Sequence, residues 1–231
     1  MTTRIRFSLL FTALLATASL SAQQTDSLLS KAYDRDQAIR IELARLGKAA
    51  NTGGYTDSLV DSLVDSLVML SEEMERIDSR NLRLVDSILR DGIPAGLAEK
   101  SYDAIWIIID HAPLEAQKKC LPILKRAAKE GFISTNKMAT LSDRIAMREG
   151  RPQRFGTQSY QTVVDGKPVL YIWPVRNARR LNARRQQINT CTIEEYVALL
   201  GESSGSEVVY DPKMTVKQLK RIIEKQEAVT Y

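Results

Sequence analysis

Apolar residues recur at three- and four-residue steps over most of this chain, so the pattern predicts one helix after another. From Thr25 to about Ala50 the steps are Leu28, Leu29, Ala32, Ile39, Leu43 and Leu46, and Asn51-Thr52-Gly53-Gly54 closes the run. Asp57-Ser58-Leu59-Val60 is then repeated at 61 and 65. That period places Leu59, Leu63 and Leu67 on one side of a helix, each about 40° behind the last, with the Asp-Ser pairs opposite. The helix is expected to continue toward Leu89, until Asp91-Gly92-Ile93-Pro94 breaks it. Ala104 to Ile109 is apolar on every side and therefore buried. Its β-branched content leaves both helix and strand open. Helices are expected over 113–130, ended by Gly131 and kinked or divided at Pro122, and over 134–149, capped by Ser134 and followed by Gly150.

The period then changes. Residues 156–164 and 167–174 read as two strands joined by Asp165-Gly166, a pair that suits the primed hairpin turns. Thr192-x-x-Glu195 is a capping box and starts another helix. Residues 201–214 read as a linker. Val216, Leu219, Ile222 and Ile223 mark an amphipathic C-terminal helix over 215–231. The expected fold is mainly α, a multi-helix domain over 23–200 with one β-hairpin at about 156–174 and a C-terminal helix. Two strands alone are marginal, so the hairpin must pack on helices.

Composition narrows the classes of function. Of 231 residues, 44% are hydrophobic and 26% charged, an ordinary globular balance. A single histidine excludes any site needing two, and two cysteines exclude a cysteine-built scaffold or metal cluster. No metal or cofactor motif is present. Residues 1–22 have the form of a secretory leader: Arg4 and Arg6, an apolar run from Phe7 to Leu20, then small residues before Gln23. The run is too short to span a bilayer as a helix. No cysteine lies near the cut at Ser21, Ala22 or Gln23, so the expectation is a soluble exported protein, periplasmic or extracellular, without a lipid anchor. An oxidising compartment would permit a Cys120–Cys191 disulfide.

Several pieces together carry a resemblance. Trp106 and Asp110-His111-Ala112 are followed by Pro113-x-x-x-Gln117, Leu121-Pro122-x-Leu124 and Leu141-Ser142-Asp143-Arg144. Gly150-Arg151-Pro152-Gln153-Arg154-Phe155-Gly156-Thr157-Gln158 comes next. From about Asp36 to Tyr196 this resembles a family of uncharacterised bacterial domains, domain of unknown function 6624, with the signature Gly-Lys-Pro-Gln-x-Tyr-Gly-Thr-Gln. Arg151 here replaces the usual lysine and Phe155 the usual tyrosine, so no hydroxyl at 155 can be essential. The resemblance implies no activity. It does single out His111, Gln117, Asp143, Arg144, Gln153, Thr157 and Gln158 as candidate ligand-binding residues. His111 ends a helix, where imidazolium is favoured. Asp143 and Arg144 are neighbours on a helix, point about 100° apart, and must have different partners. Gln153 and Gln158 bracket Gly156, so a tight turn can bring two amides together, either for a sugar or peptide or to pin the hairpin.

Charge is unevenly spread. Residues 118–185 carry a net +12, against −7 over 23–117 and −2 over 186–231. Arg176, Arg179, Arg180, Arg184 and Arg185 crowd together as candidate anion-binding residues, although docking of the acidic half on the basic middle would also explain them. Nucleic acid is a poor partner for an exported chain with 6% aromatics. These readings point to a binding or interaction module with a polar pocket for a sugar, a peptide or an anionic envelope ligand. One alternative is a hydrolase in which His111 and Asp143 activate water and Arg144 steadies an oxyanion. The other is a scaffold that binds a partner through the 57–89 helix.

Overall fold

The computed structural model describes residues 2–50 and 57–229. The stop expected at Asn51-Thr52-Gly53-Gly54 and the last two residues of the C-terminal helix lie outside them. The chain divides into two compact units, 1–112 and 113–231.

The first unit packs three helices: α1 (Thr2–Ala50), α2 (Asp57–Ile88) and α3 (Glu99–His111), with a 3-10 turn at Leu89–Asp91. Its core is Leu29 and Ala32 from α1, Ile77 and Val85 from α2, and Ala104, Ile105, Ile108 and Ile109 from α3. The Ala104–Ile109 run is thus helical. Its buried residues follow helical spacing along α3, and the element is too long for an ordinary strand. Each isoleucine buried there contributes about 1.5–3 kcal/mol. Ala98 occupies the N-cap of α3 and has no polar side chain to offer, so α1 supplies one: Asp26 accepts from the Ala98 N–H at 3.0 Å and the Ser101 hydroxyl at 2.6 Å. Along the first half of α2, Leu59, Val60, Val64, Val68 and Met69 remain exposed. No helix among the described residues is long and apolar enough to cross a membrane.

The second unit begins with α4 (Leu114–Lys129) and α5 (Thr135–Arg148), which pack on each other. Pro122 neither divides nor ends α4. It lies on the exposed side, as does Lys118, whose carbonyl loses its helical donor and can turn to water instead. Ser134 sits at the N-cap of α5, but its hydroxyl bonds Asn136 Oδ1 rather than the helix backbone. The strands β1 (Ser159–Val164) and β2 (Lys167–Ile172) form the expected antiparallel hairpin. Asp165 and Gly166 both have positive φ, 49° and 75°, the signature of a primed turn.

Two helices follow, α6 (Leu181–Gln187) and α7 (Ile193–Ser204), and the Thr192/Glu195 capping box is formed in full. In the stretch expected as linker, β3 (Glu207–Val209) pairs in parallel with β2, making a three-stranded sheet in the order β1-β2-β3. The helix α8 (Val216–Val229) closes the unit. Alternation along β2 sends neighbours to opposite faces. Ile172 packs with Leu181 and Ile193 of α6 and α7, while Tyr171 and Trp173 pack with Leu219 and Ile223 of α8. The hairpin therefore gains the helical support it requires, on both faces.

A Cβ at Gly166 would meet no neighbouring atom, so Gly166→Ala isolates the conformational cost of the turn. We expect a loss of about 1–2 kcal/mol in urea unfolding, with an unchanged m-value.

Candidate functional site

Four of the residues singled out in the sequence, Asp143, Gln153, Thr157 and Gln158, meet at one turn around the Asp143 carboxylate. Asp143 lies on the core side of α5, among Ala139, Leu141, Ile145 and Ala146, and is 1% exposed. The helix ends one turn later. Gly150, at φ 68°, donates to the Met147 carbonyl and Arg151 to that of Ala146, a Schellman ending that turns the chain back. The returning segment then wraps the carboxylate. Oδ1 accepts from the Arg154 N–H at 2.7 Å, and Oδ2 from the Phe155 N–H at 2.9 Å, the Thr157 N–H at 3.2 Å and the Thr157 hydroxyl at 3.0 Å. Burial pushes the Asp143 carboxyl above its ordinary value, and these donors pull it back toward the charged form.

Gln153 is fully buried and spends its amide on the same turn. Its Nε2 donates to the carbonyls of Gln158 (2.9 Å) and Trp173 (2.6 Å), and its Oε1 accepts the Gln158 N–H at 2.9 Å. Trp173 Nε1 donates to the Arg151 carbonyl at 2.8 Å. Gly156 is required at the apex: its φ is +69°, and a Cβ there would lie 3.1 Å from Ile193 Cδ1. The Thr157 carbonyl accepts from the Tyr196 hydroxyl and, at 3.3 Å, from Gln158 Nε2.

Two arginines of α6 complete the frame. Arg185 is 1% exposed and donates to the carbonyls of Phe155 (2.7 Å), Gly156 (3.2 Å) and Cys191 (2.6 Å), with its guanidinium 4.9 Å from the Tyr196 ring centre. Expected among the anion-binding arginines, it is instead spent on the turn. Arg184 donates to the carbonyls of Arg154 (2.9 Å), Asn177 (3.0 Å) and Arg176 (2.8 Å). It ties together the backbone of three residues whose side chains line one groove.

That groove, of about 580 Å³, is lined by Arg154, Arg176, Arg180 and Arg184 with Asn177 and Gln187, and by no carboxylate among the described residues. Arg154, Arg176 and Arg180 are exposed. The Arg154 guanidinium lies 5.2 Å from the centre of the Phe155 ring. Burial, and then the charges of Arg154 and Arg176, hold Arg184 below the ordinary arginine value, against the weaker pull of the Asp143 carboxylate. Like charges are therefore close enough to repel, and an oxyanion would relieve them.

The remaining candidates are elsewhere. His111, at the end of α3 in the first unit, has Nδ1 3.1 Å from Oδ1 of Asp36, a carboxylate 1% exposed. Asp36 also accepts from Gln37 at 2.7 Å and pairs with Arg40 at 3.1 Å, and Arg40 reaches Asp78 at 2.8 Å. Asp36 was missed as a partner. Its signal was an acid on the apolar stripe of α1, four residues after Ala32 and three before Ile39. Gln117 is buried on α4. Arg144 is half-buried, with its charge acting on Tyr196. Arg179 is exposed and points the basic run into a second cleft beside the groove. Cys120 and Cys191 form no disulfide; Cys191 Sγ lies 3.7 Å from an Arg185 nitrogen.

Comparison with known proteins gives a family. A family model described as a family of unknown function, DUF6624, matches residues 24–209, wider on both sides than the 36–196 stretch that carries the motifs. No curated protein and no solved structure matches the chain.

The frame makes a definite claim about Asp143. Asp143→Asn keeps the shape but turns one acceptor into a donor facing backbone N–H groups. We expect a loss of about 2–3 kcal/mol in urea unfolding, close to that of Asp143→Ala. A cost below about 0.5 kcal/mol would show that the turn stands without it.

Proposed function

The chain belongs to DUF6624, a family of unknown function, and from its own geometry we propose that it is an exported binding module for an anionic ligand of the cell envelope. Export is supported by the leader-like residues 1–22. The binding reading is carried by one observation: four guanidinium groups line a single groove with no acid among them, on a backbone that Arg184 holds in place. A protein surface ordinarily pairs or disperses such charges. Holding them together costs stability, which an arriving oxyanion returns as affinity.

The polar side chains of the 150–158 turn serve this reading indirectly. Asp143 and Gln153 position the backbone from which Arg154 projects, and Gln153 also bonds the backbone at Arg176, whose N–H donates to the Gln153 carbonyl at 2.8 Å. A hydrolytic reading would rest on His111 held by Asp36, since the oxygens of Asp143 serve the turn. A scaffold reading would rest on the exposed apolar residues of α2.

Retention on immobilised heparin tests the anion reading. The wild-type chain should be retained at low salt and released as screening rises. Arg154→Gln with Arg176→Gln should weaken binding about tenfold, from roughly 0.7 kcal/mol per exposed contact. The same double variant should be as stable as wild type or slightly more so, because it removes repulsion and no carboxylate pairing. No retention at low salt, or equal retention of the variant, contradicts the proposal.

A further inference from the structure

Beside the arginine groove lies a second cleft of about 770 Å³, and Asn177 lines both. Its floor is apolar. Val175 and Tyr210 pack against the buried cluster of Ile172, Leu181 and Ile193. Its rim is polar, with Arg179 and Lys213 opposed by Glu194. Glu194 is held in place rather than loose: Asn182 donates to its Oε2 at 2.8 Å while accepting the Ile193 N–H at 2.9 Å. Burial, then Glu194, pushes the Tyr210 phenol up, and Arg184 draws it down. Tyr210 therefore lies within electrostatic reach of both the rim carboxylate and the groove.

We propose that this cleft seats the ring of a saccharide whose oxyanion occupies the arginine groove. The inference rests on the anion reading and specifies its ligand. A half-buried tyrosine on an apolar floor suits the C–H face of a pyranose. A fixed carboxylate and amide at the rim suit ring hydroxyls, which both donate and accept. A purely apolar occupant would leave Glu194, Asn182 and Lys213 to lose water without return. A bare inorganic anion would be repelled by Glu194 and leave the apolar floor uncovered. An acidic sugar satisfies both halves, with its charge directed past Asn177 to the arginines.

Calorimetric titration of the full chain with glucose 6-phosphate, glucuronate and inorganic phosphate tests this. Both sugar acids should bind at least tenfold tighter than inorganic phosphate, and Tyr210→Ala should cut that advantage at least fivefold while Tyr210→Phe keeps it. If Tyr210→Ala fails to fold, Glu194→Ala, at an exposed position, should cut the advantage at least threefold. Equal affinity for sugar acids and phosphate overturns the sugar cleft and leaves the anion reading standing, as does an advantage that the cleft variants do not touch. Binding of all three probes that Arg154→Gln with Arg176→Gln does not weaken overturns the anion reading itself, and no binding of any probe overturns both.

Discussion

A carboxylate taken out of water must be met by donors, and Asp143 is met by those of the turn that follows its helix. Three backbone N–H groups and one hydroxyl converge on two oxygens. Without them the charge would be stranded in the core, and without the charge the N–H groups of a non-repetitive segment would be orphaned. The two costs cancel only when the turn adopts this one path. Asp143 thus acts as a template: beside the single bridge of Gln153 to Val175, it gives an otherwise irregular stretch a fixed path between α5 and β1.

The rest of the second unit is arranged around that frame. Gln153 links the turn to the end of β2, Arg185 holds the carbonyls of Phe155 and Gly156, and Trp173 fixes its start while packing against α8. These bonds consume the polar groups that look most like chemistry. What is left over is the set of side chains the frame displays, Arg154 from the turn and Arg176 and Arg180 from the segment beyond β2. Arg184 ties the backbone at Arg154, Arg176 and Asn177 together on one side of the groove. The backbone at Arg154 and Arg176, outside any helix or strand, is thereby fixed, which would limit the ordering cost of the binding proposed above.

Much of the fold was legible because it rests on local rules. Helical periodicity, the Asp165-Gly166 turn, the Thr192/Glu195 box and the glycines after α4 and α5 all act within a few residues, and the structure forms each of them. Ala104–Ile109 was ambiguous because an all-apolar run carries no period, and its helical state follows from packing on α1. β3 was hidden because three residues in a polar stretch pair with a strand some forty positions earlier. At the candidate site, the motifs named residues but could not name their partners. Asp143 and Arg144 do go separate ways, as their spacing on a helix demands. That Asp36 faces His111, and that Arg185 is buried while Arg176 is not, are facts of tertiary packing. Their only local trace is a charged residue on an apolar stripe, as with Arg185 between Leu181 and Ile188.

The most direct test of the account is amide hydrogen exchange at Arg154, Phe155 and Thr157 in the chain without any ligand. If Asp143 organises the turn, these amides are protected to the same degree as those of the β1–β2 ladder, although they lie in no helix or strand. Fast exchange that slows only when an anion is added would contradict it. The ligand, rather than the buried carboxylate, would then be what shapes the turn.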